Sequence, residues 1–102
     1  MRLLVFFDLP VETSRQRKAY RQFRKALLKD GYLMLQQSVY SKLVLTAQSA
    51  EFAIERLDKF KPSEGLIQVL KVTEKQYESI INISGSKASF SAINSIDRLI
   101  VL

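Results

Sequence analysis

The chain has 102 residues, 47% hydrophobic and 25% charged, with a formal net charge of +6 and neither cysteine nor histidine. Such a composition suits one folded domain and excludes disulfide frameworks, thiolate zinc sites, cysteine nucleophiles and histidine bases, so any metal would rest on oxygen donors, as magnesium, manganese or calcium do. The basic excess favours an anionic partner, and without a membrane-length apolar run or a leader-like start the chain reads as a soluble, cytoplasmic protein with no membrane partner.

Leu3 to Phe7 is apolar at every position, as in a central strand, and runs into Asp8-Leu9-Pro10, where the proline ends ladder pairing. Thr13-Ser14-Arg15-Gln16 has capping-box spacing and opens a helix over about 14–30. Ala19, Tyr20, Phe23, Ala26 and Leu27 make its apolar side, Arg17, Lys18, Arg21, Arg24 and Lys25 project opposite, and Gly31 is the expected stop. Strands follow at Tyr32–Leu35 and Ser38–Leu45, as a hairpin or one bent strand. A second helix over Ala47–Phe60 carries Phe52, Ile54, Leu57 and Phe60 on its apolar side, assisted by Ala53. Leu66–Thr73 reads as a fourth strand, Glu74–Glu78 as one helical turn and Ile80–Ile83 as a short extra strand. Residues 84–91 look flexible, and Arg98–Leu102 reads as a terminal strand.

The order strand, helix, strand, strand, helix, strand is the split βαβ pattern. It predicts an α+β, ferredoxin-like βαββαβ domain over residues 1–83, with an antiparallel sheet and both helices on one face. Residues 84–102 are then a hinge and a C-terminal strand that adds to a sheet edge or a partner. Leu4, Phe6, Tyr40, Val44, Ile67 and Val69 suggest that the other sheet face is apolar too. A bare apolar face of that size needs a cover, and a second copy about a two-fold axis supplies one, so a homodimer is expected. A monomer whose tail covers its own edge is the alternative.

Three groups are candidates for chemistry. Asp8 shares a strand face with Leu4 and Phe6. If that face is the dimer face, two Asp8 carboxylates meet near the axis and can share magnesium with several waters; without a cation they repel. An aspartate before Leu-Pro is equally a plain turn former. The second group is the run Arg15, Arg17, Lys18, Arg21, Arg24, Lys25 and Lys29, which contains no acid. A merely soluble helix face usually mixes signs, whereas like charges held together suit phosphates. Third, Ser38, Tyr40 and Ser41 offer hydroxyls near the end of the first strand, either toward phosphate or as ordinary packing. No glycine-rich phosphate loop and no aromatic single-strand-binding motif is present.

The stretches Phe7-Asp8-Leu9-Pro10, Arg17-Lys18-Ala19-Tyr20-Arg21-Gln22-Phe23-Arg24-Lys25, Gly31 to Tyr40, Val72-Thr73-Glu74-Lys75-Gln76 and Asp97 to Leu102 together resemble the CRISPR-associated Cas2 family. The likeness spans nearly the whole chain and lies in the order and spacing of these stretches. It implies a ferredoxin-like homodimer that bridges integrase subunits and holds double-stranded DNA while new spacers are acquired. It also implies a possible second activity, a magnesium-dependent endonuclease acting on RNA or DNA, with Asp8 as catalytic and metal-binding residue and Mg2+ shared by the Asp8 of both protomers. By the same resemblance Arg15 and Arg17, followed by Lys18 and Arg21, are DNA contacts.

Overall fold

A computed structural model describes residues 1–85. Seven elements follow one another: β1 (Arg2–Asp8), α1 (Ser14–Lys29), β2 (Leu33–Gln36), β3 (Val39–Leu43), α2 (Ala47–Phe60), β4 (Leu66–Val72) and α3 (Glu74–Glu78). The strands form one antiparallel sheet in the order β2-β3-β1-β4. This is the α+β, ferredoxin-like arrangement expected from the pattern, with the all-apolar β1 at its centre. β2 and β3 are a hairpin with a bulge between Met34 and Gln36. Ile80–Ile83 is not a strand, and Ile80, Ile81 and Ile83 are exposed. The strand expected at 98–102 and most of the 84–91 stretch lie outside the described residues.

Alternation along β1 sorts its side chains between two very different surroundings. Leu3, Val5 and Phe7 turn toward α1 and α2. Val5 and Phe7 join Leu9, Phe23, Leu27, Tyr32, Tyr40 and Leu57 in one cluster, and Leu3 joins Val44, Ala50 and Ala53 in another. The Phe7 ring stacks on Tyr40 at 5.6 Å and meets Phe23 edge-on at 5.1 Å, contacts worth about 0.5–1.5 kcal/mol each beyond their burial. Register puts Tyr40 and Val69 opposite Val5, and Ile67 opposite Phe7. Tyr40, Val44, Ile67 and Val69 therefore belong to the helix-covered side and not to the opposite face where the sequence pattern had placed them. Phe52 also departs from expectation: it is 50% exposed, while Leu57, Ala53, Ile54 and Phe60 of the expected side do pack inward, joined by Ala50. The helical wheel turns Phe52 about 130° from the middle of the stripe made by Ala50, Ala53 and Leu57.

The opposite face carries Arg2, Leu4, Phe6 and Asp8 from β1, with Val39, Ser41 and Leu43 of β3 and Leu66, Gln68 and Leu70 of β4 opposite them in register. Among the described residues only one end of it is covered. There α3 lies against the sheet: Arg2 Nε donates to Glu74 Oε2 at 2.8 Å, the guanidinium sits 4.3 Å from the centre of the Tyr77 ring, and Tyr77 Oη is 3.4 Å from Ser41 Oγ. The hydrogen bond from Arg2 holds the Glu74 carboxyl below its ordinary pKa.

Helix α1 begins and ends as its sequence specifies. Thr13 accepts from the Gln16 backbone, and the Gln16 side chain accepts from the Glu12 and Thr13 backbone N–H groups. Gly31, at φ 93°, follows the Asp30 cap in the left-handed region that glycine enters without cost.

Candidate nucleic-acid interface

α1 is oriented by its apolar stripe. Phe23 and Leu27 are buried and Tyr20 packs beside them, which turns the basic side outward. Arg15, Arg17, Lys18, Arg21, Arg24, Lys25 and Lys29 are all exposed. Among the described residues the ion pairs are Arg2–Glu74, Lys42–Asp30, Arg56–Asp30 and Lys61–Asp58, so none involves a cation of this run. Each like-charge neighbour one turn away costs a few tenths of a kcal/mol in an isolated helix. The burial of Phe23 and Leu27 is what holds the helix against that repulsion.

Within the run the cations differ. Arg17 Nη1 donates to the carbonyl oxygens of Val11 and Glu12 at 3.1 and 2.9 Å, fastening the loop between β1 and α1. Arg24 Nε donates to the hydroxyl of the buried Tyr40 at 2.9 Å, so it flanks the sheet and does not stand opposite it as the sequence projection had it. Lys18, Arg21, Lys25 and Lys29 make no side-chain hydrogen bond among the described residues. Arg15 makes none either; it borders a shallow cleft of about 40 Å³ with Leu9, Pro10, Gln16, Tyr20, Pro62 and Glu64. Of the four predicted contacts, Arg15, Lys18 and Arg21 therefore keep their guanidinium or ammonium groups available, and Arg17 holds backbone as well.

Asp8 ends β1, exposed, on the face turned away from α1 and α2. Among the described residues no three acidic, histidine or cysteine side chains gather as a metal-binding group. Among the described residues, then, Asp8 stands in no ligand cluster large enough to hold magnesium by itself. The hydroxyls expected nearby are mostly engaged elsewhere. Tyr40 is buried on the helix side and bonded to Arg24, and Ser41 is buried beneath Tyr77. Ser38 does adjoin the strand end, where its carbonyl accepts from the Phe7 N–H at 3.1 Å.

One residue at this strand end escaped the sequence reading. Gly65, at φ 102°, starts β4 so close to β1 that an added Cβ would lie 2.8 Å from the Asp8 carbonyl oxygen and 2.5 Å from Leu9 Cδ2. Any side chain there would push on the backbone that carries Asp8. The one sequence signal was a glycine directly before a β-branched run. Beside it, Gln16 Nε2 donates to Glu64 Oε2 at 3.2 Å and ties the same turn to the start of α1.

Comparison with known proteins places these features. The family described as CRISPR associated protein Cas2 matches residues 1–80. A Ligilactobacillus salivarius protein named CRISPR-associated endoribonuclease Cas2 is 47% identical over 102 residues, covering all of both chains. A Treponema denticola protein of the same name is 50% identical over 103 residues, again covering all of both. The crystal structure of Streptococcus pyogenes Cas2 at pH 6.5 superposes with a TM-score of 0.64 at 22% identity, over 82% of this chain and 100% of that one, a likeness of fold. No helix of the described residues is long and apolar enough to cross a membrane. Matched from its first strand through α3 and nearly half identical to whole relatives, the chain belongs to the CRISPR-associated protein Cas2 family.

Proposed function

We propose that the chain acts as a homodimer that holds double-stranded DNA and bridges integrase subunits during the acquisition of new spacers. The observation that carries this reading is the outward row of α1 cations with no acidic partner among the described residues. Arg15, Lys18 and Arg21 contact phosphates; Arg17 adds charge while it holds the β1–α1 loop. Such contacts read the backbone and not the bases, which suits a protein that must accept unrelated sequences. The bare sheet face supports the dimer. Leu66 is 57% and Leu70 51% exposed on β4, and Leu33 is 64% exposed on the opposite edge strand β2, large apolar groups on one face that call for a partner.

Equilibrium binding of a short duplex over a salt series tests the proposal. With roughly three phosphates per copy and two copies, the slope of log affinity against log salt is expected near −5. A slope near zero overturns it.

A second reading, a magnesium-dependent phosphodiesterase, is favoured by the exposed position of Asp8 and by the name endoribonuclease borne by the relatives. In it the Asp8 carboxylates of two copies hold the ion with waters, and the ion supplies charge stabilisation at a phosphate. RNA is then a substrate beside DNA. Asp8→Asn separates the readings. Under the bridging function, duplex binding and spacer integration survive the change; under a required nuclease, integration fails while binding persists.

A further inference from the structure

Among the described residues Tyr40 is the only buried group that holds a cation of the α1 run. Arg24 Nε donates to its hydroxyl at 2.9 Å. That hydroxyl is a fixed point. Tyr40 is 0% exposed, its ring stacks on Phe7 at 5.6 Å, and in the ladder it lies between Val5 and Met34. A guanidinium has five N–H donors, one on Nε and two on each Nη. The bond to Tyr40 uses the Nε donor. Arg24 has no carboxylate partner and no second side-chain hydrogen bond among the described residues. It is exposed, so both Nη groups stay available. Arg17, Arg21 and Arg24 are four and three residues apart and so form one row on the helix, about 10 Å long. The row is tethered at both ends, through Arg17 to the Val11 and Glu12 carbonyls and through Arg24 to Tyr40.

We infer that Arg24 is a pre-set phosphate-binding residue and that Tyr40 positions it. The inference rests on the duplex-binding reading proposed above and adds to it a residue outside the four predicted contacts. A long cation loses side-chain freedom when it grips a phosphate; one already held at Nε lost much of that freedom when the chain folded. Two Nη groups in one fixed plane also match two phosphate oxygens, which a lysine ammonium does not. A residue that merely satisfied a buried hydroxyl would need no charge. A neutral donor would serve, without the repulsion that Arg21 imposes one turn away.

Duplex affinity over a salt series tests this, for Arg24→Lys, Arg24→Ala, Tyr40→Phe, and Arg24→Ala combined with Tyr40→Phe. Arg24→Lys keeps the charge and should weaken binding about threefold at an unchanged salt slope. Arg24→Ala should weaken it about tenfold and flatten the slope by about one per copy. Tyr40→Phe keeps the ring and every charge. It should cost about threefold in the wild-type background and nothing further once Arg24 is alanine. A Tyr40→Phe loss that persists in the Arg24→Ala background, or no loss in the wild-type background, overturns the positioning role. Arg24→Ala binding as tightly as wild type, while Arg15→Glu with Arg21→Glu still weakens binding, overturns Arg24 as a contact and leaves the duplex reading standing. A wild-type slope near zero overturns the duplex reading itself.

Discussion

Helix α1 packs through buried Phe23 and Leu27 with Tyr20 beside them, whereas α2 packs through buried Ala50, Ala53 and Leu57 with Ile54 and Phe60 beside them. Their outer faces differ as much. α1 presents seven cations and no acid between residues 15 and 29, with no ion pair among the described residues. α2 settles its charges close by: Arg56 reaches Asp30 at 3.0 Å, and Lys61 at its cap reaches Asp58 at 2.7 Å. Large aromatic and aliphatic anchors let α1 carry repulsive charge on its far side. α2, with alanines at two of its three fully buried positions and Ile54 and Phe60 packed beside them, carries no such one-sign run. A charged surface available to phosphates is therefore one that the core beneath it can hold.

The anchor is the first place to break that contrast. Phe23→Ala empties a site that touches Phe7 and Phe60, and should cost about 3–5 kcal/mol in urea unfolding. A loss below about 1 kcal/mol would mean that α1 is held by something other than this stripe. Charge reversal addresses the outer faces. Arg15→Glu with Arg21→Glu should lower duplex affinity by at least about tenfold and flatten the salt slope by about two per copy. Lys59→Glu on α2 should change affinity by less than about twofold. Equal effects on both helices would erase the distinction.

A smaller effect is expected where the two helices are tied together. Asp30 caps α1, where a negative charge opposes the helix dipole, and is compensated by Arg56 and by Lys42, which also donates to its carbonyl. These groups are partly exposed, so Asp30→Asn should cost only about 1 kcal/mol, read as a lowered denaturation midpoint. The smallest and most specific change concerns Tyr32, just past the end of α1. Its buried hydroxyl has no hydrogen-bond partner among the described residues, and burial with the nearby Asp30 charge pushes its pKa from 10.0 to about 12. The folded state then keeps a proton that the unfolded chain releases. Its stability should hold below about pH 10 and decline between about pH 10 and 12, and Tyr32→Phe should flatten that decline.

Local spacing alone determined the order of the six main elements, the central place of β1, the Thr13–Gln16 capping box and the turn at Gly31, because each depends on residues a few positions apart. It also marked α1 as a basic face and Asp8 as a strand end. Tertiary structure decided which side of the sheet would be covered. Period two says that Leu4, Phe6 and Asp8 share a face, and nothing in it says whether helices lie there. The same holds for Tyr40 and Val44, which join the core through strand register, and for Phe52, left outside by the rotation of α2. The clamp of α3 over Leu4 joins residue 2 to residue 74 and residue 41 to residue 77, and the approach of Gly65 to Asp8 joins two strand ends. Pairings of that range arise only when the folded sheet brings distant segments together, and it is they that leave Asp8 at the open end of the face.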